Sequence, residues 1–147
     1  MTHLMIGRLC ALWTVGLALC LPYWVLIRLD QHGVRHAAIA LVMALTVVVS
    51  APFGLALSAV LPRELEGTLL LLIVVGLQMM MDPADNTTRL LPFWFSREIG
   101  TYAVDHTDAG YLGRGLAHGL AAALLLTALV ATVSAIRLRR RPHMRLS

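Results

Sequence analysis

Lysine is absent from this sequence, and charged residues of every kind are scarce. All twelve basic residues are arginines, and charged residues make up only 14% of the chain. A soluble domain has about 25% charged and about 45–50% apolar residues. Here the apolar fraction is 59% and the mean hydropathy is +0.77. This composition excludes an ordinary soluble domain and predicts one small, all-α membrane domain of helices, residues 1–147.

Cysteine is also scarce, and the two cysteines cannot pair with each other. Cys10 and Cys20 lie in one apolar run. Ten residues of helix separate them by about 15 Å, whereas a disulfide needs Cα atoms within about 7 Å. We therefore expect both to pack as small hydrophobic side chains.

Motifs that carry catalysis or bind nucleotide are missing too. The sequence has no GxxxxGK[ST] loop, so it is not its own ATPase of that type. The polar run 105–108 with His118 matches no metal-ligand spacing such as HExxH or CxxC. Ser96 lacks the glycine-flanked turn of a catalytic serine. We predict no catalytic residue, no metal ligand and no cofactor, and we predict no nucleic acid as a partner.

What the chain does contain is long apolar runs. They predict four transmembrane helices, at about residues 6–27, 37–61, 66–82 and 113–136. The third is the shortest, because a span needs about 20 apolar residues and about 17 at the least. An external loop, 83–112, and a tail, 137–147, complete the chain.

The arginine-rich tail predicts the orientation. Arginine excess keeps short segments in the cytoplasm, and an even number of spans places both termini on the same side. We therefore expect both termini to be cytoplasmic and the protein to be multi-pass. The absence of lysine, with much alanine, leucine and arginine, indicates a GC-rich bacterial genome, so we expect the bacterial plasma membrane.

The most unusual stretch joins the third and last spans. It is polar, except for the aromatic segment, residues 90–95, which contains Pro92, Phe93, Trp94 and Phe95. Aromatic rings of this kind prefer the headgroup level of a bilayer. The pattern predicts a re-entrant or interfacial segment that follows a short helix. Gln78 is the polar residue expected at membrane depth, where such groups either function or bond to a neighbouring helix.

Small residues mark the surfaces predicted for helix packing. Gly54 and Ser58 form one small-xxx-small pair, beside a kink expected at Pro52. Gly115 and Gly119 form a second pair on the last span. We expect these faces to gain stability by close contact with a partner chain.

The order of these features resembles the C-terminal part of an ATP-binding-cassette type-2 export permease. It comprises a span with Pro52 and Gly54, the turn RELEG, a Leu/Val/Gly-rich span, the loop LPFWFSREIGTYAVD, a Gly-rich last span and an arginine tail. The resemblance covers about residues 37–141. Compared with six spans in that family, two early spans are missing. The chain is therefore either a truncated or split permease, or a small relative that relies on a partner.

The resemblance implies a function and partners. A second permease chain would complete the pathway, cytoplasmic nucleotide-binding ATPase subunits would hydrolyse ATP, and the aromatic segment would gate the exit. The alternative is a small non-transporting membrane subunit for the assembly or regulation of another complex. A membrane-embedded enzyme is a third and weaker hypothesis, since no nucleophile, base and ligand set converges. Substrate, direction of transport and oligomeric state are left open by the sequence.

Overall fold

The described part of the chain is built from helices. The computed structural model describes residues 2–61, 64–81 and 86–139, with side chains for 6–59, 61, 65–81 and 86–136. Within these ranges there are no strands. The elements are α1 (Thr2–Asp30), α2 (His36–Val60), α3 (Glu64–Met80), a 3₁₀ turn (Asn86–Leu90), α4 (Trp94–Val104) and α5 (Ala109–Arg139). The prediction of an all-α fold is confirmed.

Three of the helices are long and apolar enough to cross a membrane. The segments are Ile6–Asp30, His36–Ala59 and Ala109–Ile136. The apolar part of α3, Leu65–Met80, is shorter. The helices also differ from the predicted spans at their ends, because α1 continues to Asp30 and α5 already begins at Ala109. The structure thus supports a membrane protein, while the count of four spans stays a prediction.

Helix α2 lies at the centre of the bundle. It packs against α1 on one side and against α4 and α5 on the other, and it also contacts α3. The core lies between α2, α4 and α5, where Val49, Phe95 and Ile99 are fully buried. By contrast, α1 and α3 expose most of their apolar side chains. This distribution is the one expected for helices that face lipid rather than water.

The turn between α1 and α2 is fastened to the end of α4. Gly33 adopts a φ of +97°, which favours glycine, and the Arg35 backbone N–H donates to the Ala103 carbonyl at 2.9 Å. The Arg35 guanidinium donates to the carbonyls of Tyr102 and Thr107, both at 3.1 Å, and lies 4.0 Å from the Tyr102 ring centroid. A cation near a helix C-terminus also complements its dipole. The start of α2, the end of α4 and the start of α5 therefore lie at one end of the bundle.

The contacts of Arg35 show in which direction α1, α4 and α5 run relative to the fastened end. Because α1 runs toward the fastened end and α5 runs away from it, the first residues of α1 and the last of α5 lie at the opposite end. Helix α4 runs antiparallel to α2. Its C-terminal end meets Arg35, while Phe93, just before its start, packs edge-to-face on Phe53 with centroids 5.7 Å apart. Phe53 lies about 25 Å along α2 from His36.

Pro52 does not end α2. The helix continues to Val60, and Pro52 is fully buried. Proline leaves the carbonyl four residues earlier without its usual N–H donor. The nearby Ser50 hydroxyl donates to the Val47 carbonyl at 3.2 Å. Pro52 therefore lies within a continuous helix, inside the packed core, and the kink stays a prediction.

Candidate functional site at the junction of α3 and α4

Gln78 joins the end of α3 to the beginning of α4. Its side chain is 9% exposed, and its Nε2 donates to the Phe93 carbonyl at 2.6 Å and to the Ser96 hydroxyl at 3.3 Å. The Ser96 hydroxyl and backbone N–H also donate to the Phe93 carbonyl, at 2.8 and 3.0 Å. The Gln78 Oε1 atom is buried without a partner. Gln78 is thus buried with Phe93 and Ser96 as its partners, while its position at membrane depth stays a prediction.

The aromatic segment is packed inside the bundle. Phe93, Trp94 and Phe95 are 8%, 5% and 0% exposed, while Leu90 is 87% exposed and Pro92 is partly buried. Phe93 also meets Phe95 at 6.4 Å between ring centroids. The structure places these three rings against the helices, because α4 folds the segment back onto α2 and α5. Their predicted position at the headgroup level of a bilayer stays a prediction.

His118 also lies at this junction, a position that the sequence did not predict. Its ring lies edge-on to Trp94, with centroids 5.1 Å apart, and 6.4 Å from Phe95. The His118 Nε2 atom lies 2.8 Å from the Arg89 carbonyl. A carbonyl can only accept, so Nε2 carries the proton in this contact. Nδ1 and the Trp94 Nε1 atom are buried without partners. The one sequence signal was a histidine within an apolar helix.

Charged side chains hold the same junction together. The Arg97 guanidinium donates to the Met81 carbonyl, just after α3, at 2.7 Å. Arg114 of α5 forms a salt bridge with Glu98 of α4, at 2.9 Å. Arg89 lies 5.6 Å from the Trp94 ring centroid. The break between α3 and α4 is therefore bounded by polar contacts from α3, α4 and α5.

The Gly115–Gly119 face is filled from within the chain. A Cβ at Gly115 would lie 2.6 Å from Ile99 Cγ1, and one at Gly119 would lie 2.9 Å from Leu45 Cγ and 3.1 Å from Phe95 Cγ. The prediction of close helix contact at this pair agrees with the geometry. The expectation that a partner chain fills this face is corrected, because α4 and α2 already occupy it.

The other predicted packing pair remains open. Gly54 and Ser58 are exposed, and no atom lies within 4 Å of the Cβ position at Gly54. The Ser58 hydroxyl donates to the Leu55 carbonyl of its own helix at 2.9 Å. Their neighbour Pro52 is buried. A partner at this face stays a prediction.

Metal-binding residues and similar proteins are two further sources of evidence about the function of the junction. In the ranges that the structure describes, no group of three or more His, Cys, Asp or Glu side chains is arranged to hold a metal ion. No protein-family model, curated protein or solved structure matches the chain. The geometry of the helices is therefore the basis for a function.

Proposed function

We propose that the chain is a membrane-spanning permease subunit of an ATP-driven exporter of the ATP-binding-cassette type-2 class. In this proposal α3 and α4 together make one crossing, and α1, α2 and α5 make the other three. The segment around residues 86–95 is the re-entrant part of that crossing. Both termini are cytoplasmic, and the membrane is the bacterial plasma membrane.

One observation carries the proposal: a helix break that packs against two long apolar helices, away from their ends. Phe93 packs on Phe53, about 25 Å along α2, and Trp94 packs on His118, about 14 Å along α5. At membrane depth, non-helical backbone is tolerated only where protein buries it or where it lines a water-filled cavity. Transporters use broken helices of this kind to form their substrate sites. This use favours the permease over the non-transporting subunit.

The contacts at the break suggest how a gate operates. Gln78 holds α3 to the Phe93 carbonyl and the Ser96 hydroxyl, while Arg97 holds the residue just after α3 through the Met81 carbonyl. Parting α3 from α4 breaks these three side-chain hydrogen bonds and leaves the hydrophobic core of α2, α4 and α5 intact. We assign the gate to the contact between α3 and α4 and to the aromatic segment. Helices α2 and α5 then form the fixed side of the pathway.

The energy source and the missing walls of the pathway come from other chains in this proposal. The sequence has no phosphate-binding loop, so a cytoplasmic nucleotide-binding subunit hydrolyses the ATP. A second permease chain packs against the exposed face of α3 and against the α2 face that contains Gly54 and Ser58. This contact closes the pathway.

Capture from native membranes tests the proposal. The full chain, carrying a C-terminal tag, is cross-linked in membranes of the cell that makes it, purified and identified with its partners by mass spectrometry. We expect a second membrane chain and an ATPase with a GxxxxGK[ST] loop, and ATP hydrolysis by the purified complex.

A matched pair of variants links the capture to the proposed surface. Gly54→Leu places a bulky side chain on the open face of α2 and should reduce recovery of the second membrane chain. Gly113→Leu, at an exposed glycine of α5 with open space around it, is the control. Recovery of an unrelated enzyme or receptor without any ATPase would instead establish the non-transporting subunit.

A further inference from the structure

An apolar groove lies between α1 and α2, away from the junction of α3 and α4. Its volume is about 640 Å³. The walls are formed by Leu17, Cys20 and Leu21 of α1 and by Ala40, Met43 and Ala44 of α2. Two alanines at four-residue spacing leave space on one face of α2, and the α1 wall is exposed along one side. Nothing in the proposed gate uses this groove.

Two close contacts limit the groove along the helices. Toward one end, a Cβ at Gly16 would lie 2.6 Å from Val47 Cγ1, so α1 and α2 touch there. At the other end, the Trp24 indole N–H donates to the His36 carbonyl at 3.1 Å. Between Gly16 and Trp24 the helix rises about 12 Å. That length is close to half of the roughly 30 Å hydrocarbon core of a bilayer, so the groove matches one leaflet.

A positive charge lies at the outer limit of the groove. The Arg28 guanidinium is 5.3 Å from the Trp24 ring centroid, one helical turn beyond the groove. Among the described residues, Arg28 forms no salt bridge, and Asp30 is the acidic residue on the same helix end. Tryptophan and arginine at this position are typical of the headgroup level. An arginine fork fits the oxygens of a phosphate.

We propose that this groove binds one acyl chain of an anionic phospholipid, whose phosphate contacts Arg28. The length of the groove, close to that of one leaflet, favours an acyl chain. The charge favours an anionic headgroup over a neutral one.

The proposal is tested by photo-cross-linking the full chain in nanodiscs made of equal parts phosphatidylglycerol and phosphatidylcholine. The probe is phosphatidylglycerol with a photoreactive group in its acyl chain. We expect cross-links concentrated on residues 17–24 and 40–44. We also expect the probe to be displaced from wild-type protein as unlabelled phosphatidylglycerol replaces phosphatidylcholine at constant probe content. Cross-links spread evenly over α1 and α3 would show ordinary surrounding lipid and overturn the proposal.

Two variants with matched controls test the binding of the acyl chain and the binding of the headgroup separately. Ala44→Phe fills the groove and should remove most of the cross-linking, whereas Ala121→Phe, at an exposed alanine of α5, should not. Arg28→Gln should lower the preference for phosphatidylglycerol over phosphatidylcholine about fivefold, because a basic residue near an anionic surface contributes about 1 kcal/mol. Arg8→Gln, at the other end of α1, should leave that preference unchanged.

Three results would contradict the proposal. They are an unchanged preference in Arg28→Gln, cross-linking that survives Ala44→Phe, and cross-links from the groove to a second copy of the chain. Displacement of the probe is measured on the wild-type protein, so the proposal stays testable even if Ala44→Phe fails to fold.

Discussion

Replacing Gly119 by alanine tests the packing of α5 most sharply. The added Cβ would lie 2.9 Å from Leu45 Cγ and 3.1 Å from Phe95 Cγ. Both distances are below ordinary carbon contact, and Phe95 is fully buried. Gly113 of the same helix has no atom within 4 Å of its Cβ position. Gly113→Ala is therefore a control with the same change in backbone freedom and no clash.

The magnitude follows from the difference between the two variants. Alanine is favoured over glycine in a helix interior by about 0.8–1.0 kcal/mol, and this gain applies to both. Overpacking a well-packed core costs about 1–3 kcal/mol, and it applies only to Gly119→Ala. Gly119→Ala should thus be less stable than Gly113→Ala by about 1–3 kcal/mol, or about 2–12 °C in Tm for a chain of this size.

Thermal unfolding of both variants in the same detergent measures this difference. A second measurement uses a Leu45→Ala background, where space opens beside Gly119. There, the penalty of Gly119→Ala should be smaller, since coupling between contacting residues makes substitutions non-additive. Equal Tm values for Gly119→Ala and Gly113→Ala, or a penalty unchanged by Leu45→Ala, would show that α5 does not pack as described.

Three further predictions concern the fastened end and the junction. Arg35→Ala removes hydrogen bonds from a charged group, each contributing about 1.5–3 kcal/mol, and should speed amide exchange at the end of α4; unchanged exchange would count against the fastening. Gln78→Leu should change Tm by no more than about 4 °C, because the Phe93 carbonyl keeps its Ser96 donors and a buried unpaired oxygen is removed. A variant with Trp94 as its only tryptophan should be poorly quenched by iodide, since the ring is 5% exposed, and strong quenching would place it in water.

The sequence predicted the long helices because apolar runs need no distant partner to be recognised. Runs at 6–27, 37–61 and 113–136 correspond to α1, α2 and α5, which differ mainly at their ends. Helix α4 was hidden in a polar loop. Three of its four buried residues, Phe95, Ile99 and Ala103, recur every four positions, a helical period that was available in the sequence.

The contacts that position the candidate site were not predictable in the same way. Arg35 bonds to a carbonyl 67 residues away, and no local pattern indicates that pairing. His118 reaches the carbonyl of Arg89 across the bundle for the same reason. The Gly115–Gly119 pair indicated close packing, but glycine spacing does not reveal which helix approaches. Only the fold shows that α2 and α4 do so.

Accessibility of single cysteines across the membrane tests the compound crossing by α3 and α4 most directly. In a Cys10→Ser, Cys20→Ser background, Leu65→Cys marks the exposed start of α3 and Asp105→Cys marks the exposed end of α4. Asp30→Cys, at the end of α1, marks the fastened end. Intact cells are treated with a membrane-impermeant maleimide. Our account predicts labelling at Asp105→Cys and Asp30→Cys, and labelling at Leu65→Cys only after lysis. Equal labelling of Leu65→Cys and Asp105→Cys from outside would contradict the crossing, and with it the permease.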